Sequence, residues 1–234
     1  MTMLDAEVEL RRGGLEDVED MLAIKRALPM SREGPTTRRG GFILGTDAAG
    51  YQQLVTIGRV WLLRVDGRTV GYSTAYPDPV LRASELWSRR ERIAWEGFDP
   101  SAIVDHPIAY LDQLAVIPGP RPRFYGTALA LRAMLDLLQD HRHVLTTVVH
   151  APVKNLAVLA FVRRLGGRLV GELDEHYPEV GDIRSGLYHF DKARAEEAIT
   201  RAASDPTPGT RRILSLGDVD HGGEPLREMG LDPS

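Results

Sequence analysis

The stretch that decides the fold runs from Leu111 to Leu138, LDQLAVIPGPRPRFYGTALALRAMLDLL. Leu114, Ala115, Val116 and Ile117 form an apolar run of strand type that meets a Pro/Gly/Arg turn. Helical periodicity covers Thr127 to Gln139, with Leu131, Met134, Leu135 and Leu138 recurring as a buried stripe. A strand that feeds a glycine-containing turn at a helix N-terminus gathers backbone N–H groups into a socket for phosphate oxygens. Arg121 and Arg123 add counter-charge to that turn. Proline has no N–H, so Pro118, Pro120 and Pro122 leave the donors to Phe124, Tyr125, Gly126, Thr127 and Ala128. The arrangement suits a pyrophosphate and points to a phosphorylated cofactor. Two competing phosphate motifs are absent. No Gly-Lys-Ser/Thr tripeptide occurs, and Gly119 with Gly126 does not supply the three spaced glycines of a dinucleotide fingerprint.

The rest of the composition narrows the class. The 234 residues are 43% hydrophobic and 26% charged, ordinary for a globular chain of one domain with extensions. A net charge of −4 provides no field for nucleic acid or an anionic membrane, and neither partner is expected. Without cysteine there are no disulfides, thiolate metal sites or cysteine nucleophiles. No window approaches the roughly 20 apolar residues of a membrane span. Acidic residues in MTMLDAEVELRRGG oppose a signal peptide, so a cytoplasmic location is expected. The histidines show no His-x-x-x-His spacing, so no metal site is expected.

Outward from the central stretch, Glu7–Arg11 alternates as a short strand, and a helix starts at Leu15-Glu16-Asp17 with Val18, Met21, Leu22 and Leu28 on one face. Ser31–Gly45 reads as an exposed loop and Asp47–Leu54 as a short helix. Val60–Val65 and Thr69–Tyr76 flank Asp66-Gly67 and form a hairpin with a type I′-compatible turn. Pro77–Pro107 is an irregular insertion, with one helix expected over Ser84–Trp95 carrying Trp87 and Trp95. It serves either as a substrate wall or as a structural excursion that packs its tryptophans. Ile108–Ile117 and Val144–Val149 are strands, and Asn155–Leu165 is a helix stopped by Gly166-Gly167. Arg168–Glu175 and Arg184–Phe190 follow as strands and Lys192–Ala203 as a helix. Ser204–Ser234 reads as a flexible or surface-wrapped tail.

This order of elements, together with two motifs, resembles the GNAT acyltransferase superfamily over Val8 to Phe190. Arg123–Ala128 matches the family's cofactor turn, Gln/Arg-x-x-Gly-x-Gly/Ala, behind Leu114-Ala115-Val116-x-Pro118. Asn155 followed by Gly166 matches its Asn…Tyr…Gly-Phe helix, but Val162 stands at the tyrosine position and Gly167 replaces the phenylalanine. The resemblance implies an α/β fold with a mixed, mostly antiparallel sheet flanked by helices, splayed after Ile108–Ile117. A helical insertion and a C-terminal extension complete it, with a transferase domain over residues 1–192 and a helix and tail over 193–234. It further implies acetyl-CoA as acyl donor and direct attack by a primary amine in a ternary complex. A small-molecule acceptor is favoured over a protein, and a homodimer is left open. Succinyl- or malonyl-CoA as donor, or a non-catalytic CoA-binding sensor, are the alternatives.

In such a site the pantetheine arm would pair in β fashion with Leu114, Ala115 and Val116, and a backbone N–H there would polarise the thioester carbonyl. Tyr110 and Asp112 share a strand face, the face that carries the base in family members. Asp112 is therefore the candidate general base, against the alternative that it caps or pairs with an arginine. For the leaving thiolate the candidates are Tyr125, Tyr177, Tyr188 and His150, the last against the alternative that it satisfies a backbone carbonyl. Asn155 either contacts the cofactor or holds the strand–helix loop. His176-Tyr177-Pro178 and Asp182 line either the acceptor pocket or a plain hairpin loop. His141 and His143 are expected at a helix C-terminus, and Arg89-Arg90-Glu91-Arg92 on a solvated face.

Overall fold

A computed structural model describes residues 6–30, 34–38, 42–119, 122–204 and 207–217. Its strands are β1 (Val8–Arg12), β2 (Thr36–Thr37), β3 (Arg59–Val65), β4 (Arg68–Tyr76), β5 (Ala94–Trp95), β6 (Ile108–Val116), β7 (His143–Ala151), β8 (Lys154–Asn155), β9 (Arg168–Tyr177) and β10 (Gly181–Asp191). The helices are α1 (Val18–Arg26), α2 (Ala48–Ile57), α3 (Asp78–Arg82), α4 (Glu85–Ser88), α5 (Ser101–Val104), α6 (Pro122–Asp140), α7 (Leu156–Arg164), α8 (Lys192–Ser204) and α9 (Pro208–Gly217). Eight strands form one sheet in the order β1-β3-β4-β6-β7-β10-β9-β5, while β2 and β8 pair separately and in parallel. Within the large sheet every ladder is antiparallel except β6–β7. No helix among the described residues is long and apolar enough to cross a membrane.

The β3–β4 hairpin forms as its sequence dictates. Asp66 and Gly67 both take positive φ, 50° and 75°, the pair of left-handed residues that a type I′ turn requires. One face of the sheet packs on α6 and α7 through Leu129, Met134, Leu138, Leu159 and Val162. Across β3 and β4 the other face buries α1 and α2 through Met21, Ile24, Tyr51 and Leu54.

α6 begins at Pro122, upstream of the expected Thr127, because proline suits the first helical turn, where its missing N–H leaves no gap. Instead of one buried stripe, Ala128 to Leu138 are buried on every side. The sheet covers one flank and α9 packs along the helix, with Ile213, Leu214 and Leu216 entering the same core. Two polar groups are buried with it. Asp136 accepts from Arg12 (2.8 Å) and from the Trp61 indole (3.2 Å), and Arg132 stacks on Trp61 at 4.4 Å.

The expected tail is thus ordered as far as Gly217, and residues 218–234 lie outside the described residues. Ala195 and Ile199 of α8 also join the main core. The insertion departs from the single helix expected over Ser84–Trp95. After α4 and a 3-10 turn at Arg89–Arg92, Ala94 and Trp95 turn extended and pair with Glu172 and Gly171 on the free edge of β9. An available sheet edge outweighs helical continuation there. Of the expected loop Ser31–Gly45, residues 31–33 and 39–41 lie outside the described residues, and Thr36–Thr37 pairs with Lys154–Asn155.

Candidate active site

The site is built on a defect in β6. Thr74 of β4 pairs with Gln113 and Ala75 with Leu111, so Asp112 is the extra, unpaired residue of a β-bulge. The bulge exchanges the faces of the strand. Ala109 and Leu111 point towards α6, whereas beyond the bulge Leu114 and Val116 do so and Ala115 turns to the α1/α2 side. The parallel ladder to β7 stops at Leu111–Thr146, yet β6 runs on to Val116 and β7 to Ala151. The sheet therefore splays after the predicted strand. Beyond Leu111 the β7-facing edge of β6 offers backbone N–H and C=O groups with no strand partner among the described residues.

A cavity of about 990 Å³ lies at this splay. Leu114, Thr147, Val149, Asn155, Val158 and Val162 line its splayed side. Phe42–Thr46, Tyr76, Leu81, Trp87, Ile103 and Tyr177 line the other, so the insertion is a pocket wall. Hydrogen bonds fix the 42–46 loop. Lys25 donates to the carbonyls of Gly45 and Thr46, and Gln113 Nε2 donates to Thr46 Oγ1 at 2.9 Å. Gln113 Oε1 in turn accepts from Tyr51 at 2.8 Å, and the Tyr51 and Tyr72 hydroxyls lie 2.6 Å apart.

Tyr110 and Asp112 both line this cavity. Asp112 is half-buried and accepts from the Thr74 hydroxyl at 3.3 Å, with no ion-pair partner among the described residues. Desolvation raises its pKa to about 6, tempered by the Thr74 hydrogen bond and the field of Arg89. The Tyr110 hydroxyl lies 2.7 Å from Thr147 Oγ1, across the opening splay, and burial raises its pKa so that it stays protonated. Arg89 and Glu175 carry no functional signal in the sequence, one lying in a charge run and the other in an ordinary strand. Both line this cavity, and Arg89 Nη1 donates to Glu175 Oε1 at 2.6 Å. The solvated-face expectation for Arg89 is thereby corrected.

At the phosphate turn the early start of α6 relocates the donors. The first N–H groups of a helix lack intrahelical partners; here these include Arg123 and Phe124, while Gly126, Thr127 and Ala128 fall within the helical ladder. A Cβ on Gly126 would meet only Val116 Cγ2, at 3.9 Å, so Gly126 keeps open the space between α6 and the end of β6. Arg123 is exposed, and Tyr125 is buried in the core. Arg121 lies outside the described residues. Arg212 of α9 adds a guanidinium 5.6 Å above the Phe124 ring.

Asn155 holds the strand–helix loop: it is the N-cap of α7, its Oδ1 accepting from Val158 N at 3.3 Å. Asn155→Ala should lower stability by about 1 kcal/mol in chemical denaturation. The helix ends on Gly166 with φ 77°, and a Cβ on Gly167 would lie 2.7 Å from both Val162 Cγ1 and Phe190 Cε1. The ring of Phe190 thus occupies the space above Gly167, and the two departures at Val162 and Gly167 form one packed unit.

The structure does not bring His150 to the cavity. Its Nε2 lies 3.1 Å from the Tyr188 hydroxyl and its Nδ1 3.3 Å from Glu172, in a separate cluster. His176 pairs with Asp182 at 2.8 Å on the exposed hairpin, and of that segment Tyr177 faces the pocket. His141 accepts a hydrogen bond from Asp78 N and lies 2.8 Å from Leu137 O at the end of α6, as expected, whereas His143 instead contacts His189 at 3.0 Å.

A bulged central strand, a splay at the parallel pair and a helix entering from the splayed end define a GNAT-like fold. No family model matches the sequence, and no curated protein matches it. Solved structures do. An N-acetyltransferase from Staphylococcus aureus Mu50 aligns with a TM-score of 0.53 at 10% identity, over 80% of this chain and 99% of that one. Arabidopsis thaliana NAA60 in complex with acetyl-CoA aligns with 0.53 at 18% identity, over 79% and 98%. The Drosophila melanogaster polyamine N-acetyltransferase aligns with 0.53 at 17% identity, over 79% and 100%. At these identities the likeness is one of fold.

Proposed function

We propose that this chain is an N-acyltransferase that moves an acetyl group from acetyl-CoA to a primary amine by direct attack. The observation that carries the reading is the open edge of β6 beside a half-buried carboxylate: Asp112 sits where the splay begins, with Leu114–Val116 beyond it. The pantetheine amides pair with that edge, and the phosphates lie against the first turn of α6, flanked by Arg123 and Arg212. The fold shared with a structure holding acetyl-CoA supports this placement.

In the reaction the acceptor ammonium loses a proton to ionised Asp112, and its nitrogen then attacks the thioester carbonyl. A β6 backbone N–H facing the splay stabilises the developing oxyanion. On collapse the C–S bond breaks, and the proton that the former amine nitrogen must still lose passes to the thiolate through the Tyr110 hydroxyl, which gives up one proton, takes one and ends neutral, as its burial requires. Orientation of the two substrates supplies much of the remaining acceleration. The arginines lining the cavity are engaged, Arg89 with Glu175 and Arg90 over the Trp87 ring at 4.8 Å. That favours a neutral acetyl group over succinyl or malonyl donors.

Acceptor-dependent release of free thiol from acetyl-CoA tests the proposal. Thiol release that rises with amine concentration and saturates is the expected result. Tight acetyl-CoA binding without turnover on a broad amine panel would instead establish a CoA-binding sensor, the reading that Val162 at the family's tyrosine position favours.

A further inference from the structure

The carboxylates lining the cavity are not equivalent. Glu175 is neutralised by Arg89 at 2.6 Å. Glu85 and Glu91 sit at the exposed rim, 3.8 Å from Arg89 and 3.6 Å from Arg90. Asp112 alone among them has no ion-pair partner among the described residues, and rings and aliphatic groups line the same cavity: Tyr76, Leu81, Trp87, Ile103, Tyr110 and Tyr177. An ammonium entering this space meets one unpaired anion, and the insertion side of the cavity offers aromatic and aliphatic side chains to the body attached to it.

A second cationic group would lose its water and face the Arg89 guanidinium, a like-charge contact. Aromatic faces, by contrast, accept an ammonium and an apolar body together.

We infer that the acceptor is a primary monoamine on an apolar body, aromatic or branched aliphatic, and that Arg89 enforces this choice by neutralising Glu175. The inference rests on the acyltransferase reading of the same cavity. Arg89 is here a specificity-determining residue that does not touch the reacting atoms.

Thiol release from acetyl-CoA, with 2-phenylethylamine, 1,4-diaminobutane and a short peptide with a free N-terminus as acceptors, tests it. For the wild-type chain, kcat/KM for the monoamine should exceed that for the diamine by about 100-fold or more. Arg89→Met exposes Glu175 as a second carboxylate and should raise the diamine-to-monoamine ratio about 10-fold or more. Glu175→Gln leaves the Arg89 charge uncompensated and should raise KM for the monoamine without any gain for the diamine. This second variant keeps the test decisive if the first fails to fold. A wild-type preference for the diamine or the peptide overturns the inference, as does an unchanged ratio in Arg89→Met. Both outcomes leave the acyltransferase reading standing. Acetyl-CoA binding with no turnover of any acceptor overturns that reading, and the inference with it.

Discussion

Gly126→Glu is expected to abolish acetyl-CoA binding while leaving the fold intact. Helical side chains lean towards the N-terminus and cover the preceding turn, so a side chain here projects over Pro122 and Arg123, towards the end of β6. The nearest neighbour of its Cβ is Val116 Cγ2 at 3.9 Å, ordinary contact that the free chain accepts. Glutamate is a better helix former than glycine, and its charge suits an early helical turn, which together favour the folded state. The same charge occupies and repels the phosphate position. Loss of even two charge-assisted hydrogen bonds predicts a fall in affinity of more than about 100-fold. Calorimetric titration with acetyl-CoA, alongside thermal unfolding of the same sample, measures both. Retained affinity at unchanged stability would remove the phosphates from this turn.

Asp112→Asn should separate activity from stability in opposite directions. A general base contributes about 10²–10⁴ in rate, so in the role proposed for Asp112 its loss should lower kcat by that range. In the wild type, kcat/KM should decline about tenfold per pH unit below about 6, where the carboxylate protonates. Stability follows from the same shift. The folded pKa of about 6 lies above the unfolded value near 3.9, so the folded state binds the proton more tightly. The stability this contributes is fully present below about pH 4 and is lost as pH rises through about 6. Asparagine carries no charge to desolvate, and it should therefore stabilise the protein by on the order of 1–3 kcal/mol at pH 7 and by almost nothing at pH 4. Denaturant titrations at the two pH values read this directly. Equal effects at both would show that Asp112 is not desolvated.

Local chemistry in this chain is legible from the sequence wherever one residue type answers one backbone demand. Asp66-Gly67 turns the hairpin with two positive φ angles, and Asn155 and Gly166 cap the two ends of α7. Arg123–Ala128 matches the family's cofactor turn and falls in the first turns of α6, where the phosphates are proposed to lie. What escapes is whatever depends on a partner distant in sequence. The bulge at Asp112 is invisible within Ile108–Val116, because only pairing with Thr74 and Ala75 reveals that one residue is extra. Trp95 leaves its expected helix for an edge of β9 that the sequence does not place beside it. Arg89 looks like any member of a charged run until the insertion folds it against Glu175. Likewise, Ile213, Leu214 and Leu216 are too few to mark a helix behind DPTPGT, and they acquire meaning only when α6 leaves its outer flank to be covered.

The proposed reaction requires acetyl-CoA to lie in the splay between β6 and β7. Titrating the isotope-labelled full chain with acetyl-CoA and following backbone amide shifts addresses this most directly. Saturable shifts at Leu114–Val116, Arg123–Phe124 and Thr147–Val149, with β1 unaffected, are the predicted result. Absence of saturable shifts, or shifts confined to residues away from these three segments, would contradict it.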